Sequence, residues 1–224
     1  MSESTRFIAV CIFLLSYLIR GAFSETAFES NRYMDSVLTL ILPRNSNLEG
    51  SDLRDFVFTV PGTSFFNPDL RAEFHDGRVT GLLPPGGLRR EGDCSPPIHM
   101  DGNTHITCNI SLFYLKAVYE GSIKGESLLN RNRTISVVAS FPDTRANLDV
   151  ISGPGVVPHV GAWTVDPINI YATFSKRLNL DSSRKRQFLA QVREHIESAM
   201  RGFFYGNLKD ALQNAVMYDE PPSF

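Results

Sequence analysis

The sequence has little cysteine, little net charge and few hydrophobic residues in unbroken runs. Its 224 residues contain three cysteines, too few for a disulfide-rich miniprotein or a cysteine-rich zinc module. The 22 basic and 24 acidic residues leave a formal net charge of −2, so the whole chain lacks the basic footprint of a nucleic-acid-binding protein. Hydrophobic residues make up 42% of the chain, which argues against intrinsic disorder. The length predicts one domain, or at most two small ones.

Catalytic and metal-binding motifs are also missing. The chain has no G-x-S-x-G elbow, no H-E-x-x-H pair, no phosphate-binding P-loop and no dinucleotide fingerprint. The histidines are scattered, and the closest spacing, His99 and His105, places one in a loop and one on a wet strand face. We therefore expect no enzyme activity, no cofactor and no bound metal. A small secreted hydrolase stays open, because catalytic groups can converge in space without a sequence motif.

The longest apolar run predicts a secretory signal peptide. Residues 7–19 are apolar except for one serine and follow an arginine, whereas a membrane-spanning helix needs about 20 residues. Ala22 and Ser24 then supply small side chains at the positions that signal peptidase requires. We predict that residues 1–24 are removed, which leaves a soluble extracellular domain of residues 25–224.

Secretion changes the interpretation of the cysteines and of two glycosylation sequons. Removal of the signal peptide leaves Cys94 and Cys108, and two thiols in an oxidising compartment most simply form a disulfide. The alternative is two free, buried thiols. Asn109 and Asn132 each begin an Asn-x-Ser/Thr sequon, and both would have to lie at the surface to accept a glycan.

Periodicity predicts helices at the two ends of the mature chain and strands between them. Residues 25–42 carry apolar side chains three and four positions apart, as an amphipathic helix does. Asp76-Gly77 lies between two short apolar runs and is typical of a hairpin turn. Several later segments place an apolar or small residue at every second position, which indicates antiparallel strands in a meander with one wet face. These segments cover residues 106–114, 117–123, 135–141 and 168–174.

A long C-terminal helix is predicted over residues 182–217. Its apolar residues recur mainly every four positions, so their stripe drifts around the helix by about 40° per step. The helix therefore either bends near Gly202 or Gly206 or is enclosed on more than one side. A strongly curved antiparallel sheet wrapped around the helix would enclose it. The predicted fold class is thus α+β, with an N-terminal amphipathic helix, a curved sheet and a long C-terminal helix.

An apolar cavity between the long helix and the sheet is the main functional expectation. The plain interpretation of the apolar residues is a filled core, but one helix inside one curved sheet leaves space that side chains need not fill. We expect the inward-facing residues of the helix and the sheet to contact a hydrophobic ligand. These predicted ligand-binding residues are Ile110, Leu112, Val137, Trp163, Phe188, Val192, Ile196, Met200, Phe203 and Phe204.

The basic run Arg184-Lys185-Arg186 opens the predicted long helix. Its plain interpretation is a solvated first turn, although cations at that end oppose the helix dipole. The run could also make weak contact with an anionic lipid surface, or be a processing site. Nucleic acid is not an expected partner, and no stable membrane span is expected.

Three stretches of the chain resemble a known family. A helix leads into a proline-containing segment over residues 25–61, AEFHDGRVTGL at residues 72–82 is followed by GLRREGD at residues 87–93, and a long amphipathic helix ends the chain. Together they resemble the group 7 mite allergen-like secreted proteins of arthropods. That family belongs to the lipid-binding superfamily of bactericidal/permeability-increasing protein and of the takeout and juvenile-hormone-binding proteins. The resemblance spans nearly the whole mature chain but includes no catalytic or ligand motif.

The resemblance implies a half-barrel of curved antiparallel sheet around a long helix, with an apolar groove for lipid-like ligands and no cofactor. Takeout-type members carry a cysteine pair near the mature N-terminus, whereas Cys94 and Cys108 lie in mid-chain, so the ligand should not be taken over from hormone carriers. We predict a secreted, glycosylated, non-enzymatic binder or carrier of hydrophobic small molecules. The alternative is a secreted recognition protein on the same fold, with a filled core and no lipid ligand.

Overall fold

The N-terminal helix opens the described part of the chain. The computed structural model describes residues 27–44, 48–64, 67–125 and 132–218. The predicted signal peptide lies outside these residues. Helix α1 covers residues 27–36 and continues through a π-helical turn, Val37–Ile41, and a 3₁₀ turn, Leu42–Arg44. Met34 on its predicted apolar stripe is buried, whereas Phe28 is exposed.

The strands of the described residues form two antiparallel sheets. In chain order the strands are β1 Asp52–Leu53, β2 Phe56–Val60, β3 Leu70–Thr80, β4 Arg89–Arg90, β5 Ile98–Met100, β6 Asn103–Ser111, β7 Lys116–Lys124, β8 Arg133–Ser140, β9 Arg145–Gly153, β10 Val156–Val165 and β11 Tyr171–Phe174. Sheet one has the order β1-β3-β7-β8-β11, with β2 also paired to β3. Sheet two has the order β10-β9-β6-β4, with β5 also paired to β6.

Strands that follow one another along the chain often belong to different sheets. Strand β6 pairs with β9, where Cys108 lies opposite Leu148, and β7 pairs with β8, where Tyr119 lies opposite Val137. The predicted meander is therefore wrong where the chain passes from β6 to β7 and from β8 to β9. The alternation of apolar and polar residues along a strand shows which face is exposed to solvent, but it does not show which strand is the hydrogen-bonded partner.

Asp76-Gly77 forms a bulge within β3 and not the predicted hairpin turn. The pairing of β3 with β7 shifts register between His75 and Arg78, and Asp76 has a positive φ of 53°. A Cβ atom on Gly77 would lie 2.2 Å from the ring of Tyr119, so the ring occupies the space that any larger residue would need. Bulges bend and twist a strand, and this one contributes curvature to sheet one.

The long C-terminal helix is present but is divided by a π-helical turn. Helix α2 spans Ser182–Phe203, the turn spans Phe204–Leu208, and helix α3 spans Lys209–Tyr218. Asp181 caps α2, because its Oδ1 accepts hydrogen bonds from the backbone amides of residues 183 and 184 at 3.0 Å each. The turn includes Gly206 and lies where the drifting apolar stripe predicted a bend or a second covering surface.

One hydrophobic core joins both sheets to the helices, which confirms the predicted α+β fold with antiparallel sheet around a long C-terminal helix. Strand β7 shows the expected alternation, with Ala117, Tyr119 and Ile123 buried between exposed or half-buried neighbours. The π-helical turn is tied to sheet two, since Trp163 Nε1 donates a hydrogen bond to the Phe204 carbonyl at 3.0 Å. Across the ranges described, none of the helices combines the length and hydrophobicity needed to span a bilayer.

Candidate ligand groove

The predicted ligand-binding residues all lie in the hydrophobic core. Phe188, Val192, Ile196 and Met200 form the inner face of α2, and each is fully buried. The same buried cluster contains Phe203 and Phe204 at the π-helical turn, Ile110, Val137 and Trp163 on the sheets, and Leu112 just after β6. The structure therefore brings the ten residues together as packed side chains, and Phe203 also lines the cavity described next.

A cavity of about 930 Å³, here called the groove, opens between α2 and the edge of sheet one. One wall consists of β1, β2 and the segment that joins them, backed by the middle of β3. The other wall is the C-terminal half of α2 and the adjoining π-helical turn. The groove is lined by Asp52, Leu53, Arg54, Asp55, Phe56, Val57, Arg71, Glu73, Phe74, His75, His195, Ser198, Ala199, Gly202, Phe203 and Asn207.

The helix presents a second face to the groove beside its core face. His195, Ser198, Ala199 and Gly202 recur at spacings of three and four, so they form one stripe along α2. Three of these four residues are small, and a Cβ atom built on Gly202 would meet nothing within 4 Å. The small side chains leave the space between α2 and the sheet edge open.

Aromatic rings form the floor of the groove. The Phe56 ring lies 4.9 Å from the Phe74 ring and 4.9 Å from the imidazole of His195, both in stacked orientations. Phe58 continues the cluster beneath the groove and contacts Phe188 of the core at 5.3 Å. The floor is therefore continuous with the hydrophobic core and offers apolar area to a ligand.

Charged side chains form the rim. Arg71 Nε donates to Glu73 Oε1 at 2.7 Å, so these two charges largely compensate each other. Asp52, Arg54 and Asp55 are exposed, and among the described residues they form no ion pair. Both signs of charge are thus available to the polar group of a ligand at the groove mouth.

A buried tyrosine supports the rim from below. The Tyr119 hydroxyl donates a hydrogen bond to the Arg54 carbonyl at 3.3 Å, and its ring packs edge-on against Phe56 at 5.1 Å. Burial, and in second place the negative charge of Asp55, raises the pKa of Tyr119 well above its usual range. The phenol is therefore a neutral donor at physiological pH and holds the backbone that carries Arg54 and Asp55.

The groove contains the residue types of a hydrolase active site, but they are not hydrogen-bonded as a catalytic triad. Ser198, His195 and Asp55 all line it, but among the described side chains no hydrogen bond joins Ser198 to His195 or His195 to a carboxylate. A nucleophile and its base must lie within hydrogen-bond reach, although this contact can be loose in a free enzyme. The described residues also include no group of three His, Cys, Asp or Glu side chains placed to hold a metal ion.

The disulfide is present, and both sequon asparagines are accessible. Cys94 and Cys108 are joined, which confirms the predicted pair and shows that the alternative of two free thiols is wrong. Asn109 is exposed on the outer face of β6, where its Oδ1 accepts from Asn147 Nδ2 at 3.2 Å. Asn132 is exposed just before β8. Glycosylation at both positions stays a prediction.

Sequence reasoning missed most of the groove. Residues 52–57 are not among the predicted ligand-binding residues, and the wall that they form depends on their pairing with β3. The one sequence signal was on the long helix, where Ser198, Ala199 and Gly202 share a face in an otherwise bulky apolar segment. A run of small residues on one helical face predicts either close packing or open space, and periodicity cannot decide between the two.

Comparisons with known proteins give one clear relative. No protein-family model matches the chain. The chain is similar to salivary anticoagulant protein P23 of Ixodes scapularis, with 26% identity over 215 residues that cover 93% of this chain and 96% of that protein. It also aligns with the crystal structure of lipopolysaccharide binding protein at a TM-score of 0.41 and 13% identity, over 90% of this chain and 36% of that one. The fold described above rests on the chain's own helices and strands and not on that alignment.

Proposed function

We propose that the protein is a secreted, non-enzymatic binder of hydrophobic or amphipathic small molecules, and that the groove is its binding site. The observation that carries this proposal is the cavity of about 930 Å³ between α2 and the edge of sheet one. Small-molecule sites commonly occupy about 300–1,000 Å³ and combine apolar walls with a few placed polar groups. The disulfide, the predicted signal peptide and the salivary relative support an extracellular location.

The groove favours a ligand with an apolar part and a polar head. Phe56, Phe74 and Phe203 provide apolar contact, and transfer of ligand area from water contributes about 25 cal/mol per Å² before ordering costs. Arg54 and Asp55 at the rim can bind a polar head of either charge. The likeness to group 7 mite allergen-like proteins, which belong to a lipid-binding superfamily, points to the same ligand class.

Two binding positions are compatible with the sequence prediction. In the first, the ligand occupies the groove and touches only Phe203 of the ten predicted residues. In the second, the ligand displaces packed side chains and enters the core between α2 and the sheets. We favour the groove, because entry into the core would require the fully buried Phe188, Val192 and Ile196 to give up their present contacts.

Glycine substitutions on α2 and the adjoining turn separate binding in the groove from nonspecific effects. Gly202→Leu would place a bulky side chain in the groove. Gly206→Leu would add the same side chain at a position outside the groove lining, where a Cβ atom also meets nothing within 4 Å. We expect delipidated wild-type protein and the Gly206→Leu variant to bind a fluorescent fatty acid saturably. The Gly202→Leu variant should bind at least about tenfold more weakly, a loss of about 1.4 kcal/mol.

Core substitutions test the other position. Val137→Ala and Ile196→Val each remove buried carbon atoms behind the groove without entering it. A changed affinity in these variants, together with normal binding by Gly202→Leu, would move the site into the core. Absence of binding across a panel of fatty acids, phospholipids and sterols would reject a lipid-like ligand altogether. Mass spectrometry of small molecules that co-purify with the secreted protein would name the class.

The second candidate function is recognition of a protein partner without a small-molecule ligand. The similarity to an anticoagulant salivary protein over nearly the full length of both chains favours it. In that case the protein should prolong the clotting time of plasma, and Gly202→Leu should retain the effect in full. Loss of the effect in Gly202→Leu but not in Gly206→Leu would instead connect anticoagulation to the groove.

A further inference from the structure

One end of the molecule concentrates positive charge from separate chain segments. Lys124 ends β7, Lys176 and Arg177 come after β11, and Lys185 and Arg186 lie in the first turns of α2; all five are exposed. We call this set the basic end. Within the described residues none of the five forms an ion pair with a carboxylate.

Backbone contacts place these segments side by side. Arg133 lies opposite Ile123 at the end of the β7–β8 pair, and its Nη2 donates to the Arg177 carbonyl at 3.0 Å. Arg184 Nη2 donates to the Gly125 carbonyl at 3.4 Å and to the Pro68 carbonyl at 2.7 Å. The first contact ties Arg177 to the residues beside Lys124, and the second ties Lys185 and Arg186 to the same place.

The charge arrangement costs stability at two points. The first turn of α2 has no acidic residue, and cations there oppose the helix dipole. Arg184 itself is buried at 2% exposure, its Nε has no hydrogen-bond partner, and no described carboxylate pairs with it. The helix dipole alone would favour acidic residues in the first turn of α2.

The described carboxylates on neighbouring segments, Asp69, Glu73 and Asp181, form no ion pair with the five cations. Asp69 Oδ1 accepts a hydrogen bond from the Gly62 amide, and Asp181 caps α2. Glu73 is paired with Arg71. The whole chain has a formal net charge of −2, so the excess of cations at this end is a local feature that composition conceals.

We infer that the basic end binds a sulfated polysaccharide. The five cations come from the end of β7, the segment after β11 and the start of α2, which the contacts above bring together, so one polyanion chain can bind several of them at once. Arginine and lysine side chains bind sulfate groups by charge-assisted hydrogen bonds, and arginine can bind two oxygens at once. Membrane-docking surfaces add exposed apolar or aromatic side chains to cations. Among the described residues, none of the exposed large apolar side chains lies in residues 116–125 or 175–190, which carry the basic end.

Lysine substitutions provide a test with a matched control. Lys124→Gln with Lys185→Gln removes two charges from the basic end, and Lys116→Gln with Lys209→Gln removes two from exposed positions outside it. The probe is a fluorescently labelled heparin dodecasaccharide, titrated with the full secreted protein at several NaCl concentrations. Unfolding curves of both double variants verify that each is folded.

The wild-type protein and the Lys116/Lys209 variant should bind the dodecasaccharide with the same salt dependence. The Lys124/Lys185 variant should bind at least about fivefold more weakly. Its slope of log Kd against log salt should fall by roughly one to two, because binding through fewer cations releases fewer counterions from the polysaccharide. An equal loss in both variants would overturn the proposal, because only net charge would then matter. Binding to phosphatidylglycerol vesicles without binding to the dodecasaccharide would also overturn it and assign the basic end to a membrane.

Discussion

At the residue scale, a single tyrosine connects the core to the groove. Tyr119 lies on β7 and is fully buried, its ring fills the space that Gly77 leaves open in the β3 bulge, and its hydroxyl supports the Arg54 carbonyl. Alternation along residues 117–123 predicted that Tyr119 faces inward. Nothing in the sequence indicated that Asp76-Gly77 would accommodate it, because the same dipeptide also favours a hairpin and only the partner strand decides between the two.

The buried phenol of Tyr119 predicts a loss of stability at alkaline pH. The pKa of this group is raised in the folded protein, so above about pH 10 the unfolded chain loses the proton while the folded chain keeps it. The free energy of unfolding should then fall by up to about 1.4 kcal/mol per pH unit from this group. Urea unfolding at pH 8 and pH 11 measures the difference.

The substitution Tyr119→Phe should remove that part of the alkaline loss. It should also lower stability by about 1 kcal/mol at pH 8, because the Arg54 carbonyl loses its donor. Tyr218→Phe, at an exposed position, controls for the loss of one phenol. If the wild-type protein and the Tyr119→Phe variant lose the same free energy between pH 8 and pH 11, the phenol is not buried as described.

At the element scale, the helices and most strands are predictable from periodicity, but their partners are not. The inward residues of β7 and β8 were predicted, and so was a drifting stripe on the long helix near Gly206. In the structure a π-helical turn lies at this position, and Trp163 donates a hydrogen bond to it. A π-helical turn adds a residue to the helix repeat and rotates the residues after it about the helix axis, and sequence periodicity alone cannot separate it from a bend.

The disulfide fixes an irregular segment to sheet two, and its removal should be costly. Cys94 lies in the loop before β5, and Cys108 is an inward-facing residue of β6, with a separation of 14 residues. In the chain-entropy model, closing a loop of this size stabilises by about 3 kcal/mol. The double variant Cys94→Ala with Cys108→Ala should lose about that much free energy of unfolding in urea. A loss below about 1 kcal/mol would show that the loop is already held by its other contacts.

At the whole-molecule scale, the core was predictable and the groove was not. The ten predicted ligand-binding residues come from the strongest apolar patterns, and they share one buried cluster because both sheets and the helix direct their apolar faces to the same place. The groove joins residues 52–57 to residues 195–207, which lie more than a hundred positions apart in the sequence. Such a site depends on strand pairing and on small side chains, neither of which leaves a periodic signal.

The continuous core predicts that both sheets unfold together. Trp163 reports on sheet two, and the double variant Trp163→Phe with Phe174→Trp would move the fluorescent probe to sheet one, where Phe174 contacts Phe188 at 5.6 Å. In each protein, the urea midpoint from tryptophan fluorescence should equal its own midpoint from far-ultraviolet circular dichroism, since a two-state transition gives the same curve with every probe. Comparing each protein with itself removes the effect of the substitutions on stability. Separate midpoints for the two probe positions would divide the chain into two folding units and contradict the prediction of one domain over residues 25–224.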